Sequence, residues 1–257
     1  MIDMDKLEHC CICSDRGGYR PYNEDSFICN KMKPDTGADR LEEAIALKNG
    51  WNICGVLDGM GGTEHGGMAS FLAASEFAGI RDAISGNEKR KELDGIVRAA
   101  FLKANNRIVE NAGYSGTTAT IAVTDGNELK LYHLGDSRAF LIHQGSIRQL
   151  TKDQTVETLK KDMGLSDRVV EADRHRLTEY LGADESMKGI RPVESEWIPF
   201  SDGDSLILCT DGLYEGCSQR DMLFVIDRVE PAKVASELVD LALSRGVRDN
   251  VTCAYIY

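Results

Sequence analysis

Residues 51–67 read WNICGVLDGMGGTEHGG, and the rest of the chain can be arranged around this segment. The run from Trp51 to Leu57 is apolar and predicts a buried strand that leads directly into Asp58. Glycines follow this aspartate, and a helical pattern begins near Gly66. A carboxylate at the tip of a buried strand, followed by glycines, places a charged group at the rim of a rigid scaffold. The same residues also fit an ordinary Asp-Gly turn, so the segment alone leaves both interpretations open.

Three further aspartates stand beside apolar, strand-like runs. Asp211 follows SLILCT and precedes a glycine. Asp136 lies between two apolar runs in LYHLGDSRAFLI, and Asp249 lies just before the last strand. Strand ends can meet at one edge of a sheet sandwich, so we expect these carboxylates to converge with Asp58. Grouped carboxylates are costly unless cations neutralise them.

Such a group of carboxylates is suited to binding divalent metal ions. Ligation by oxygen alone selects hard ions, Mg²⁺ or Mn²⁺. Gly59 has no side chain, so its carbonyl can turn toward an ion held by Asp58. Two ions roughly 3.5–4 Å apart can lower the pKa of a shared water and clamp a phosphoryl group. Arg20 lies four residues before Glu24 and offers a planar fork for phosphate oxygens, although from composition alone a surface arginine is the favoured interpretation.

Length and charge limit the class of protein. The chain has 257 residues, 42% of them apolar, which is enough for one large domain or two small ones. The net charge is −12, and the sequence has no block of Lys and Arg, so we expect no binding to nucleic acid or anionic lipid. The first residues do not resemble a signal peptide and no window is apolar enough to span a membrane, which predicts a cytoplasmic protein.

The eight cysteines predict neither a disulfide framework nor a zinc finger. Cys10, Cys11 and Cys13 form a cluster, but no second C-x-x-C or His pair stands at zinc-finger spacing. The remaining cysteines of strand-like runs are expected to be small buried hydrophobes in a cytosolic setting. They are Cys29, Cys54, Cys209 and Cys253.

Hydrophobic periodicity predicts an α+β fold of antiparallel sheets covered by helices. The predicted strands are 9–13, 26–30, 51–57, 117–124, 128–134, 138–143, 146–149, 194–199, 205–210 and 251–257. The predicted helices are 66–84, 88–112, 222–229 and 232–245, and 39–48 is also interpreted as a helix. The charged stretch 151–176 predicts either a mobile excursion or short helices. Strict alternation of strands and helices is missing, which disfavours a parallel doubly wound sheet.

Several other catalytic motifs are absent from the sequence. The run GMGGTEHGG lacks both the G-x-G-x-x-G pattern and the Lys-Ser/Thr pair of a P-loop. There is no G-x-S-x-G nucleophile elbow and no H-E-x-x-H pair. His133 and His143 fall in predicted strands and are expected to be structural. No cysteine stands in an electropositive loop, which argues against a cysteine nucleophile.

Taken together, the motifs resemble those of the metal-dependent protein phosphatases, the PPM or type 2C serine/threonine family, in its short bacterial form. The resemblance covers nearly the whole chain, and the motifs come in the family's order. They are Arg20–Asp25, Asp58–Gly62, Ser115–Thr118, Gly135–Arg138, Leu150–Asp153, Leu177–Gly182, Thr210–Gly212 and Arg248–Asn250. One Asp-Gly pair has no specificity, but this ordered set is highly specific.

The resemblance implies a four-layer α-β-β-α sandwich, with two mainly antiparallel sheets flanked by helices, around a site for two Mg²⁺ or Mn²⁺ ions. Asp58 matches the bridging ligand, Asp211 and Asp249 match ligands of one ion, and the Gly59 carbonyl matches a ligand of the other. The positions with other implied roles are Glu24 (an ion ligand, directly or through water), Asp25 (an acid behind the ligands), Arg20 (phosphate binding), Asp136 (a weaker third ion) and residues about 154–176 (a flap beside the site). The flap is slightly shorter than is usual in the family.

Two positions depart from the family pattern. Met60 stands where eukaryotic relatives carry a histidine proposed as the general acid. Thr63 stands where many bacterial relatives carry a histidine, and His65 follows two residues later. The donor of a proton to the leaving group is therefore open, and His65 is the hypothesis.

The resulting prediction is a single catalytic domain over residues 1–257, active as a monomer. A hydroxide bridging the two ions would attack phosphoserine or phosphothreonine in proteins, with Asp58 and Arg20 as catalytic residues and without a phosphoenzyme. The expected partners are a Ser/Thr kinase and its substrates. The alternatives are a catalytically inactive, binding-only member of the fold and a phosphatase dedicated to one regulatory partner.

Overall fold

A computed structural model describes residues 9–34, 38–61, 65–183 and 190–257. The thirteen strands of the described residues are β1 His9–Asp15, β2 Asp25–Cys29, β3 Arg40–Ala46, β4 Asn52–Met60, β5 Gly116–Thr117, β6 Ala119–Thr124, β7 Glu128–Leu134, β8 Arg138–His143, β9 Ser146–Gln149, β10 Val193–Glu194, β11 Ile198–Pro199, β12 Ser205–Cys209 and β13 Val251–Ile256. The six α-helices in the same part of the chain are α1 His65–Ala83, α2 Arg90–Asn111, α3 Val156–Asp162, α4 Asp211–Gly216, α5 Gln219–Ile226 and α6 Val234–Ser244.

The strands form two antiparallel sheets. One has six strands in the order β3-β1-β13-β12-β8-β9, and the other has seven, in the order β10-β7-β6-β4-β2 with β11 paired to β7 and β5 to β4. Short turns join β6 to β7 and β8 to β9, which is why neighbouring strands run antiparallel. The predicted antiparallel fold is confirmed.

Apolar side chains fill three spaces between four layers. The first core lies between the seven-stranded sheet and the long helices α1 and α2. The second, which includes Phe27, Val56 and Leu208, lies between the two sheets. The third lies between the six-stranded sheet and α4 to α6. Burial on both faces explains why the central strands are almost continuously apolar, and the expected α-β-β-α sandwich is confirmed. Among the described residues, none of the helices is both long and apolar enough to cross a membrane.

Two local predictions are wrong. Residues 39–48 do not form a helix, because Arg40–Ala46 pairs along its full length with β1 as an edge strand. Leu41 and Ile45 pack on the core between the sheets, and this pairing overrides the helix propensity of Leu, Glu and Ala. Asp58 does not follow the end of its strand, because β4 continues to Met60 through pairing with β5.

The other differences concern the extent of elements. The charged stretch 151–176 contains α3 and two short 3₁₀ turns, which agrees with the short-helix alternative. The predicted edge strand 194–199 is two shorter strands, β10 and β11, both paired to β7. The short helix α4 was not predicted; it begins at Asp211, directly after the strand that the sequence predicts.

Candidate metal centre

One cavity of about 290 Å³ brings together the carboxylates that the sequence places far apart. It lies at the edge of the sandwich where β4, α4 and the start of β13 meet. Its lining residues are Arg20, Glu24, Asp58, Gly59, Met60, Gly61, Thr118, Asp136, His175, Leu177, Asp211 and Asp249. The seven predicted site residues Arg20, Glu24, Asp58, Gly59, Asp136, Asp211 and Asp249 all lie in this cavity.

The backbone around Asp58 is held from the neighbouring strands. The Asp58 amide donates to Thr118 Oγ1 at 2.9 Å, and the Asp58 carbonyl accepts from Thr118 N and from Thr117 Oγ1, both at 2.9 Å. These bonds use only the main chain of Asp58. Its carboxylate is therefore free to face the cavity while the backbone is fixed.

Electrostatics makes the cluster unfavourable without a counter-charge. Burial, together with the charges of Asp211 and Asp25, raises the pKa of Asp58 well above its usual value. Burial and the same Asp211 raise the pKa of Asp136 to about 7, and burial raises the pKa of Glu24. Each shift shows that the ionised form is disfavoured by desolvation and by like charges.

Two carboxylate oxygens of the described residues are buried without a hydrogen-bond partner. They are Oε1 of Glu24 and Oδ1 of Asp211, both in the cavity lining. Buried anionic oxygens are normally paired with donors or metal ions. Hard divalent cations prefer such oxygen ligands, so the residues present fit Mg²⁺ or Mn²⁺.

Asp25 is the acid that follows Glu24 in the sequence. It pairs with Asp58 across β2 and β4, and its Oδ2 accepts from the hydroxyls of Thr210 at 2.8 Å and Thr252 at 2.7 Å. Burial raises the pKa of Asp25 to about 8 against the lowering effect of these two hydroxyls. Through these two hydroxyls Asp25 joins β2 to the start of α4 and to β13; its role behind candidate ligands stays a prediction.

Gly59 is required by the close approach of two other chain segments. A Cβ atom at this position would lie 2.3 Å from the Gly66 carbonyl oxygen and 2.4 Å from the Glu24 carbonyl oxygen. The Gly59 amide also donates to the Glu24 carbonyl at 3.2 Å. The absence of a side chain therefore allows β4, the loop before β2 and the start of α1 to meet.

Arg20 is held at the rim by the candidate ligand Asp249. Its Nη2 donates to Asp249 Oδ2 at 2.6 Å, and this bond raises the pKa of the arginine. A guanidinium carries five N–H donors in a planar fork, so other donors remain for a phosphate group.

Asn250 fixes the loop that carries Arg20 and Glu24. Its Nδ2 donates to the carbonyls of Arg16 at 2.8 Å and Tyr22 at 3.0 Å. Its Oδ1 accepts from the Glu24 amide at 2.8 Å. The side chain is buried and joins the start of β13 to both ends of the loop. The sequence marks this asparagine as part of a motif, but its bonding role is visible only in the structure.

We expect Asn250→Ala to lower the free energy of unfolding by roughly 3 kcal/mol, since it removes three hydrogen bonds worth about 1 kcal/mol each. Loosening of the loop is also expected to weaken Mn²⁺ binding. Urea unfolding and Mn²⁺ titration measure the two effects. Asn111→Ala, which removes one exposed bond at the end of α2, is the control. Equal unfolding midpoints for Asn250→Ala and the unsubstituted protein would contradict the role of this asparagine.

Of the two histidines His65 and His175, only His175 lines the cavity, whereas the sequence hypothesis named His65. His65 is exposed at the start of α1 and is not among the residues that line the cavity. His175 lines the cavity, with Nδ1 3.9 Å from Asp211 Oδ2 and Nε2 3.7 Å from Glu215 Oε1. The neighbouring Asp211 raises the pKa of His175 to about 9. His175 was missed because it lies in the charged stretch with weak periodicity. Met60 lines the cavity, and Thr63 lies outside the described residues.

The two ends of the segment 154–176, which carries His175, are held together by hydrogen bonds of Gln154; we call this point the neck. Gln154 exchanges hydrogen bonds with Gly135, through its amide at 2.8 Å and through its Oε1 at 2.7 Å, and its carbonyl accepts from the Thr178 amide. Just before the neck, Arg138 forms a forked pair with Asp153. Residues 154–176 therefore begin and end beside the same point of the sheet edge.

Comparisons with known proteins found similar sequences. A family model described as Protein phosphatase 2C matches residues 16–160. The serine/threonine protein phosphatase PstP of Mycobacterium tuberculosis is 31% identical over 224 residues, which are 86% of this chain and 43% of the relative. The serine/threonine phosphatase stp of Listeria welshimeri is 26% identical over 95% of this chain and 93% of its own length. The chain thus spans less than half the length of PstP.

Solved structures share the fold. The catalytic domain of PstP in complex with two manganese ions is 29% identical, with a TM-score of 0.76 and 97% of both chains covered. The serine/threonine phosphatase of S. agalactiae has a TM-score of 0.81 at 22% identity, with 97% of this chain and 99% of that chain covered.

Proposed function

This chain belongs to the protein phosphatase 2C family, and we propose that it is a metal-dependent phosphatase of phosphoserine and phosphothreonine in proteins. The observation that carries the proposal is the convergence of Asp58, Glu24, Asp211 and Asp249 on one cavity that also contains Arg20. The unpaired buried oxygens of Glu24 and Asp211 support cation binding there. The relatives' names support the choice of serine/threonine phosphoproteins as substrates.

We assign the ligands from this arrangement. Asp58 would bridge two ions, Asp211 and Asp249 would hold one, and the Gly59 carbonyl with Glu24 would hold the other. The manganese ions in the PstP structure support Mn²⁺ or Mg²⁺ as the cofactor. Asp136, beside Asp211 in the cavity, would help to hold a weaker third ion. When bound, the ions would supply an acidic water as nucleophile and would neutralise phosphate oxygens.

The chain's own residues orient the substrate. Arg20 sits at the rim of the cavity and offers its fork to the phosphate oxygens, whose negative charge it balances in the transition state. Asp25, anchored by Thr210 and Thr252, holds β2 and β4 in register beneath Asp58. No side chain is proposed to form a covalent bond to phosphorus.

We further propose one catalytic domain over residues 1–257, with residues about 154–176 as a flap beside the cavity, acting as a monomer in the cytoplasm. All eight cysteines are buried thiols that are not joined in disulfides, which supports a reducing compartment. A Ser/Thr kinase and its substrates are the proposed partners.

The test is hydrolysis of a phosphothreonine peptide and of p-nitrophenyl phosphate, with Mn²⁺ and with EDTA. We expect Mn²⁺-dependent release of phosphate from both substrates and none in EDTA. Mn²⁺ binding without hydrolysis of either substrate would contradict the proposal and favour a binding-only role.

The proton donor is tested by a comparison of two histidine variants. A nitrophenolate leaves without a proton, whereas a threonine alkoxide needs one, so loss of a general acid slows hydrolysis of the peptide more than that of p-nitrophenyl phosphate. Because His175 lies in the cavity, we expect His175→Gln to lower kcat on the peptide by about 10-fold or more, with a smaller effect on p-nitrophenyl phosphate.

His65→Gln is the matched variant, and it tests the hypothesis drawn from the sequence. A selective loss on the peptide in this variant alone would assign the proton to His65 and contradict the role of His175.

A further inference from the structure

A second cavity, of about 760 Å³, opens directly beside the cavity of the candidate metal centre. It lies between the loop 113–116, which follows α2, and the segment 175–182; we call it the side groove. The two cavities have several lining residues in common, so a chain that enters the first can continue into the second. The shared residues are Met60, Gly61, His175 and Leu177.

One wall of the side groove is fixed to the short strand β5. Leu181 and Thr117 exchange two main-chain hydrogen bonds, both of 2.9 Å. A Cβ atom at Gly116 would lie 2.6 Å from the Leu181 carbonyl oxygen and 2.6 Å from Cδ2 of Tyr180, so this ring packs closely against the backbone. The wall is therefore formed before any ligand arrives, which lowers the entropic cost of binding.

The side groove presents apolar surface to solvent. Val109 is 44% exposed and Tyr114 is fully exposed. Met60 and Leu177 continue this apolar surface into the cavity of the candidate metal centre. Exposed apolar side chains around a concave surface are typical of binding sites.

Arg176 gives the side groove a positive charge that no acidic side chain balances. Among the described residues, no hydrogen bond or ion pair engages its guanidinium, whereas its carbonyl is fixed by the Val156 amide at 2.9 Å. None of the described residues that line the groove is Asp or Glu, although the chain carries a net charge of −12. Arg174, two residues earlier, forms ion pairs with Glu157 and Glu171 and lies outside the lining.

We propose that, given the phosphatase activity proposed above, on which this inference rests, the side groove binds the part of a phosphoprotein beside the phosphorylated residue, and that Arg176 selects substrates with an acidic side chain there. A guanidinium forms charge-assisted hydrogen bonds with a carboxylate. The apolar surface around the pair excludes water and so strengthens the attraction. A second copy of this chain is a less suitable occupant, because two chains of the same net charge of −12 repel each other.

The size of the first cavity sets the position of the acidic residue. A sphere of 290 Å³ is about 8 Å across, and an extended chain rises about 3.3 Å per residue. About three residues therefore lead from the phosphorylated residue into the side groove. We expect the acid within this distance, on the side of the phosphorylated residue that enters the groove.

The test compares pairs of phosphothreonine peptides that differ only by Glu or Gln at one position. The position is moved through the three residues on either side of the phosphothreonine, and kcat/KM of the full chain is measured in Mn²⁺ at low ionic strength. We expect a preference for Glu of about 5-fold at one or more positions, as for a partly screened charge-assisted bond. Arg176→Gln should remove this preference, and added salt should weaken it.

Arg174→Gln is the matched control, because it removes the same charge two residues away, outside the groove, and it should retain the preference. Hydrolysis of all peptides without a preference for Glu, or a preference that survives in Arg176→Gln, would overturn the inference and leave the proposed phosphatase activity in place. No hydrolysis of any peptide in Mn²⁺ would overturn both. A dimer in solution that Tyr114→Ser dissociates would assign the groove to a second copy of the chain and would also overturn the inference.

Discussion

Asp58→Asn is expected to lower kcat on a phosphothreonine peptide by roughly 10³-fold or more. The substitution keeps the shape of the side chain but removes the charge that is proposed to bridge two ions. The backbone should stay in place, because Thr117 and Thr118 bind only the main chain of Asp58. Since Asp211 and Asp25 repel the Asp58 carboxylate, the folded protein without added metal should be at least as stable as before.

Steady-state hydrolysis in Mn²⁺ and thermal unfolding in EDTA measure the two halves of this expectation. Asp227→Asn makes the same substitution at an exposed position after α5 and should leave both properties unchanged. An Asp58→Asn variant with unaltered Mn²⁺-dependent turnover would exclude the bridging role.

Gly59→Ala is expected to damage both stability and catalysis. The added Cβ would stand 2.3 Å and 2.4 Å from two carbonyl oxygens, so the backbone itself must move. Overpacking of this kind costs about 3 kcal/mol, and displacement of Glu24 from Asp58 by about 1 Å costs roughly 100-fold in rate. Urea unfolding and hydrolysis of the phosphothreonine peptide measure the two losses.

Gly79→Ala is the matched control on helix α1, where an added Cβ has no neighbour within 4 Å. This variant should be more stable by up to about 1 kcal/mol, because alanine favours a helix over glycine, and it should keep full activity. If Gly59→Ala behaved like Gly79→Ala, the close approach of Gly66 and Glu24 to Gly59 would have no consequence.

The candidate ligands could be selected from the sequence because several of them carry a local signal. Asp58 and Asp211 precede glycines beside apolar strands, and such strands are readily recognised by their composition. The ordered motifs then placed these residues in one family, which also supplied the layer order of the fold. The cavity brings together every candidate ligand selected in this way, and their role as ligands stays a prediction.

Other features depend on contacts that no local signal encodes. The segment 40–46 has residues that favour a helix, and only its pairing with β1 makes it a strand. His175 lies in a charged stretch with weak periodicity. It reaches the cavity because hydrogen bonds of Gln154 hold the ends of that stretch at the sheet edge. Cys10, Cys29 and Cys54 come together through the pairing of β2 with β4 and the stacking of two sheets.

The most direct test of the proposed metal centre is the number of Mn²⁺ ions that the chain binds at equilibrium. Calorimetric titration of the full chain should give two Mn²⁺ ions per chain, with a weaker third at high concentration, and Asp58→Asn should lose the tight binding of both. Two tight sites that remain in Asp58→Asn, or no Mn²⁺ binding by the unsubstituted chain, would contradict a centre built on Asp58, Asp211 and Asp249.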